Sequence, residues 1–198
     1  MRLGEWLQQR EYLIQNSAAI TVGTDGLNPE NNNLMAIGLY TGNQHSVTYI
    51  SGADAIKVEK YTGVKPIYYT ESAVGVERAK ELLTPTLYGI DFFVCLNLPF
   101  TESWMKEFDS TLFENKEALD LALYFKIKDA GEEIPEETDS ITDLNERMRF
   151  AAADMKYTKG YSLDALVSRC LPEMEDYLPT LEMKPVQLYK LFEHALML

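Results

Sequence analysis

The chain has 198 residues, 46% of them hydrophobic and 25% charged, which is a globular balance and enough chain to bury one sizeable core. Eighteen Lys and Arg against 31 Asp and Glu leave a formal charge of −13, which weighs against a protein that grips nucleic acid chiefly through phosphates, because such contacts are mostly cationic. No apolar run approaches the roughly 18–20 residues of a membrane-spanning helix, and two cysteines, Cys95 and Cys170, make neither a disulfide framework nor a zinc site; no membrane partner and a reducing, cytoplasmic setting are therefore expected.

The elements follow from hydrophobic spacing and turn chemistry. Leu3, Trp6, Leu7, Tyr12 and Leu13 predict a short amphipathic helix over residues 1–15, so residues 1–16 read as a helical extension and residues 17–198 as one domain. Residues 18–22 form a compact apolar run, a buried strand. Gly23, the Asp25-Gly26 pair, Asn28-Pro29 and the asparagines 31–33 then supply turn chemistry. Residues 34–40 and 46–50 read as two further strands joined by a tight turn at Thr41-Gly42-Asn43, with His45 inside that turn. Short helices are expected over residues 55–61 and 74–83. The stretch 89–96 is apolar apart from Asp91 and reads as a strand buried on both faces, pairing with the first. Helical patterning covers 103–108, 116–127, 163–171 and 186–196. Residues 129–146 hold eight acids and no basic residue, the composition of a solvated surface loop. The sum is an α/β domain with a mixed central sheet, an antiparallel three-strand meander and flanking helices.

Three places carry a family resemblance. Thr24-Asp25-Gly26-Leu27-Asn28-Pro29 follows the first strand, Asn97-Leu98-Pro99-Phe100-Thr101 follows the strand at 89–96, and Tyr161-Ser162-Leu163-Asp164-Ala165-Leu166 opens a late helix. Together they resemble the DEDD-type 3′-5′ exonucleases, the family of the proofreading subunit of bacterial DNA polymerase III. The resemblance implies a ribonuclease H-like fold. It also implies two divalent cations held by four carboxylates, which activate water and stabilise the departing oxygen.

Laid on those motifs, the four acidic positions fall on Thr21, Gly23, Thr101 and Lys184. None can supply a carboxylate, so no catalytic residue and no metal ligand is expected. Asp25, Glu102 and Glu182 lie within two residues of a lost ligand and are the candidates for displaced acids. A one-residue shift on a strand turns a side chain to the opposite face, however. Asp25 suits the opening of the Asp-Gly turn, Thr101 suits a helix N-cap, Glu102 the first turn of that helix, and Glu182 the surface. His45 and His194 stand beside no nucleophile, and Cys95 reads as inert packing. Arg147, Arg149, Lys156, Tyr157, Lys159 and Tyr161 interleave cations with aromatics and, with Lys184, are the nucleic-acid-binding candidates; as plain surface they balance the upstream acids.

The expected function is that of a catalytically inactive exonuclease-like domain that binds a protein partner or, weakly, nucleic acid, with no cofactor. Two alternatives stand beside it. One is an active exonuclease using Mg²⁺ or Mn²⁺ on displaced acids; the other is an acidic interaction protein that mimics DNA.

Overall fold

A computed structural model describes residues 10–42, 44–51, 66–69, 73–112, 116–131, 141–153, 160–174 and 183–197. The expected helix at 55–61 and the candidates Lys156, Tyr157, Lys159 and Glu182 lie outside these residues, as do Leu3, Trp6 and Leu7. A helix α1 (Arg10–Asn16) leads directly into strand β1 (Ser17–Thr24), which pairs antiparallel with β2 (Leu34–Tyr40), as β2 does with β3 (His45–Tyr49). The expected meander is present. The β2–β3 turn needs Gly42, whose φ of +85° disfavours an L side chain and where a Cβ would stand 3.0 Å from the Tyr189 hydroxyl. His45 is not in that turn: it opens β3 and is fully buried, with the Tyr40 ring edge-on at 5.7 Å. The turn closes one residue earlier than the sequence reading placed it, with Thr41 N–H donating to the Gln44 carbonyl at 3.0 Å.

A short strand β4 (Pro66–Tyr69) adds parallel to β3. Helix α2 (Val76–Tyr88) carries Ala79, Leu83 and Leu87 at four-residue spacing, the stripe that buries it. It runs past the expected end at residue 83 because Pro85 is tolerated inside it. Strand β5 (Phe92–Cys95) pairs parallel with β1 and is buried on both faces as expected: Phe92 and Val94 join one core cluster, Phe93 and Cys95 the other. Helix α3 (Leu98–Phe108) follows.

The expected helix at 116–127 is in fact two elements. Residues Glu117–Asp120 form strand β6, parallel to β5, and helix α4 (Leu121–Ala130) begins immediately after. No turn residue separates them, because Asp120 ends the strand and caps the helix at once. The acidic segment is likewise part helix, since α5 (Ile141–Ala152) covers its last residues. Helix α6 (Leu163–Cys170), a 3-10 turn (Pro172–Met174) and α7 (Met183–Ala195) complete the chain.

The six strands lie in the order β4-β3-β2-β1-β5-β6. Strand alternation divides the core between the two faces of this sheet. Ala18, Ile20, Phe93 and Cys95 pack with α2 and α3, while Ala19, Phe92 and Val94 pack with α4, α6 and α7. Each fully buried Phe or Ile contributes roughly 1.5–3 kcal/mol on this accounting. Edge strand β6 is closed by Asn145 of α5, which accepts from Asp120 N–H at 3.0 Å and donates to the Ala118 carbonyl. Such cover removes the open ladder that an edge presents to other chains. Among the described residues no helix is long and apolar enough to cross a membrane.

Candidate functional site

The chain runs from β1 to β2 on one side of the sheet and from β5 to β6 on the other. A crevice at the carboxyl ends of neighbouring strands is the common ligand position in sheets of this kind. Here two adjoining cavities open at the ends of β1, β5 and β6. The first, of about 330 Å³, is lined by Ile20, Thr21 and Val22 of β1, by Leu96, Asn97, Phe100 and Thr101 around the start of α3, by Ser162, Leu163 and Asp164, and by Lys184 and Leu188 of α7. The second, of about 630 Å³, shares Leu96, Asn97 and Ser162 and adds Asp120, Lys126, Arg149 and Tyr161, among others.

Three helices begin at this cleft. Asn97 caps α3 by accepting from Phe100 N–H at 3.3 Å, Asp120 caps α4 by accepting from Leu123 N–H at 3.3 Å, and Ser162 caps α6 by accepting from Ala165 N–H at 3.3 Å. The cap of α3 is thus Asn97 and not Thr101, because the helix starts one turn earlier than the apolar spacing indicated. Thr101 is buried inside the first turns, in hydrogen-bond contact with the Cys95 thiol. Burial holds that thiol well above the usual range, which makes Cys95 inert packing. Glu102 stands one turn further along than expected and pairs with Lys106 at 3.4 Å.

Of the four positions named from the exonuclease motifs, Thr21, Thr101 and Lys184 line one cavity. Gly23 lies further along β1, beside a bulge at Gly23/Thr24, and is not part of the lining. Asp25 is directed away into its own turn. Its carboxylate accepts from Asn33 N–H at 2.6 Å and from the Asn33 amide at 2.8 Å, and these bonds hold its pKa below the usual carboxylate value. The asparagine-rich loop is therefore wired by side chain to backbone, with Asn28 accepting from Glu30 N–H and Asn32 donating to the Asn28 carbonyl.

Sequence reasoning missed Asp120, Asp164 and Lys126. Asp120 is buried and also accepts from Leu98 N–H at 3.1 Å. Burial raises its pKa; the backbone N–H groups and the nearby Arg149 pull the other way and do not prevail. The signal for Asp120 was an Asp directly before an apolar helical run. Arg149 lines the second cavity, whereas Arg147, exposed on the same helix, does not. The Tyr161 ring has the Lys126 ammonium 5.7 Å and the Arg169 guanidinium 5.3 Å from its centroid. Its π surface is thus engaged by cations.

A two-metal phosphodiester centre needs several convergent carboxylates around each ion. Asp164 is the one carboxylate in the first cavity among the described residues. No group of three or more His, Cys, Asp or Glu able to hold a metal occurs among the described residues. Thr21, Thr101 and Lys184 do not fit such a centre, since two hydroxyls and a cation cannot replace its charge. Compared with known proteins, the chain matches no protein-family model and no curated protein sequence.

Proposed function

We propose that this chain is a non-catalytic domain of the DEDD exonuclease type, with a ribonuclease H-like fold whose cleft binds without performing metal-dependent hydrolysis. The single observation that carries the reading is the convergence of Thr21, Thr101 and Lys184 on one cavity. Residues far apart in sequence, selected only by motif resemblance, line the same cavity, and that shared position supports the reading. The antiparallel β1–β2–β3 meander, with β5 and β6 added in parallel on the other side of β1, supports the fold part of the reading.

The role left to the domain is binding. With a charge of −13 the principal partner is a protein, and nucleic acid binds weakly. The competing reading, an active nuclease on displaced acids, gains nothing from Asp25 or Glu102, neither of which lines the first cavity. Incubation with single-stranded DNA or RNA and Mg²⁺ or Mn²⁺ tests the choice. Release of nucleotides stays at background on our reading. Metal-dependent release that disappears on changing Asp164→Asn, Asp25→Ala or Glu102→Ala would establish the active enzyme instead.

A further inference from the structure

We propose that a third cavity, beside edge strand β6, is a site for a free α-amino acid with a cationic side chain, its carboxylate held by Arg149, its α-ammonium by Glu146 and its side-chain cation by Glu102. The cavity measures about 270 Å³. Its charged and polar wall comes from Glu102 of α3, from Lys116, and from Asn145, Glu146 and Arg149 of α5, and its apolar part from Leu98 and Ala118. It shares only Arg149 with the second cavity of the cleft and nothing with the first. The site therefore goes beyond the reading of the cleft and stands whether or not the cleft is catalytic. Its volume suits a molecule of amino-acid size and falls below the range of most drug-sized ligands.

The charges in this lining are not spent on one another. Glu146 and Arg149 stand three residues apart on α5, yet they do not approach within ion-pair distance. At the same spacing Arg78–Glu81 and Lys190–Glu193 close to 2.6 Å, and Glu77–Lys80 to 3.4 Å. A carboxylate and a guanidinium held open over a shared cavity match the two charged ends of a zwitterion, and the guanidinium fork suits a carboxylate through two parallel bonds. Asn145 fixes this turn of α5, because its buried amide spans Asp120 N–H and the Ala118 carbonyl. The adjoining Glu146 is thus carried on a supported helix rather than on a loop. Glu102 reaches the cavity from α3. Its carboxylate meets Lys106 at 3.4 Å, an exposed pair of little strength, and can exchange that partner for a ligand cation. Lys116 does not compete for the same acids: its ammonium donates to the Tyr88 carbonyl at 2.9 Å and to the Ile90 carbonyl, and burial lowers its pKa. Two carboxylates and one guanidinium therefore remain, which favours a ligand with one anionic and two cationic groups. Leu98 and Ala118, both buried, offer apolar surface to the methylene stem between them. Because Glu146 and Arg149 are exposed, binding is weak and salt-sensitive.

The test is a titration of the ¹⁵N-labelled full chain, at low salt, with L-lysine, glycine and cadaverine. Lysine is expected to move the amides of Ala118, Asn145 and Glu146 saturably. Glycine, which lacks the second cation, and cadaverine, which lacks the carboxylate, should each bind about tenfold more weakly, the loss of one charge-assisted contact. Arg149→Gln should weaken lysine about tenfold and leave cadaverine unchanged, whereas Glu102→Gln should weaken lysine and leave glycine unchanged. Arg147→Gln, on the same helix but outside the lining, should alter none of them. The amide spectrum of each variant without ligand verifies its fold. Lysine binding no tighter than glycine or cadaverine, amide shifts confined elsewhere, or lysine affinity indifferent to both the Arg149 and Glu102 variants would overturn the site. Nucleotide release with Mg²⁺ or Mn²⁺ would instead overturn the non-catalytic reading of the cleft and leave the lysine result standing.

Discussion

Two aspartates, one just beyond the end of β1 and the other at the end of β6, show how differently one residue type can be used. Asp25, exposed in the β1–β2 loop, has its pKa lowered by bonds from Asn33. Asp120, buried at the start of α4, has its pKa raised by desolvation despite two backbone donors. The first organises a loop that water already solvates. The second joins β6, α3 and α4 at the wall of the cleft, where it is largely shielded from water. The sequence reading of Asp25 as the opening of a turn agrees with its bonds to Asn33, and the acid at the cleft wall is Asp120.

The largest effect expected from this contrast is on stability. Asp120→Ala leaves the Leu98 and Leu123 N–H groups without acceptors and should cost about 3 kcal/mol, read as a lower denaturation midpoint at unchanged m. Asp25→Ala removes bonds from an exposed loop and should shift the midpoint much less. Equal losses at the two sites would break the comparison.

A second expectation concerns pH. Asp120 has a folded pKa above its ordinary 3.8, so its protonated form is the one that folding favours. Its contribution is full below 3.8 and is lost as pH rises through the raised folded value. Asp25 has a folded pKa below 3.8, so its contribution is present above 3.8 and is lost as pH falls through the depressed value. Denaturation midpoints of Asp120→Asn and Asp25→Asn, followed against wild type, should therefore diverge in opposite senses across this acid range. Parallel curves would contradict the assigned shifts.

Smaller still is the stability cost of Arg149→Gln, an exposed side chain whose change should stay within about 0.5 kcal/mol. Binding of single-stranded nucleic acid should be weak and mostly lost by about 0.2 M salt. Tight binding at higher salt would point to stacking rather than charge and would remove the contrast between cleft and body.

Much of the fold was legible because its signals are local. The Asp25-to-Asn33 turn chemistry and the alternation along β2 marked the meander, and the run Phe92–Cys95 is apolar on both faces because helices cover both. Strand β6 was not legible. Its four residues flow into an apolar helix, and only pairing with β5 makes them extended. The cleft was legible in part: Thr21, Thr101 and Lys184 came from the motif resemblance, but Lys126 and Asp164 sit on helices where a charged residue ordinarily means surface. What places them at a cavity is the packing of α4 and α6, information that no short window of sequence carries.

The central claim is that Thr21 and Lys184 occupy the positions of metal-binding acids, and Mn²⁺ titration of the Thr21→Asp, Lys184→Asp double variant tests it most directly. With Asp164 these substitutions would place three carboxylates around the first cavity. The account predicts no saturable Mn²⁺ binding in the wild-type cleft and saturable binding in the double variant, with paramagnetic broadening of the Leu96 and Asn97 amides. Saturable Mn²⁺ binding by the wild-type cleft, or a correctly folded double variant that binds none, would contradict it.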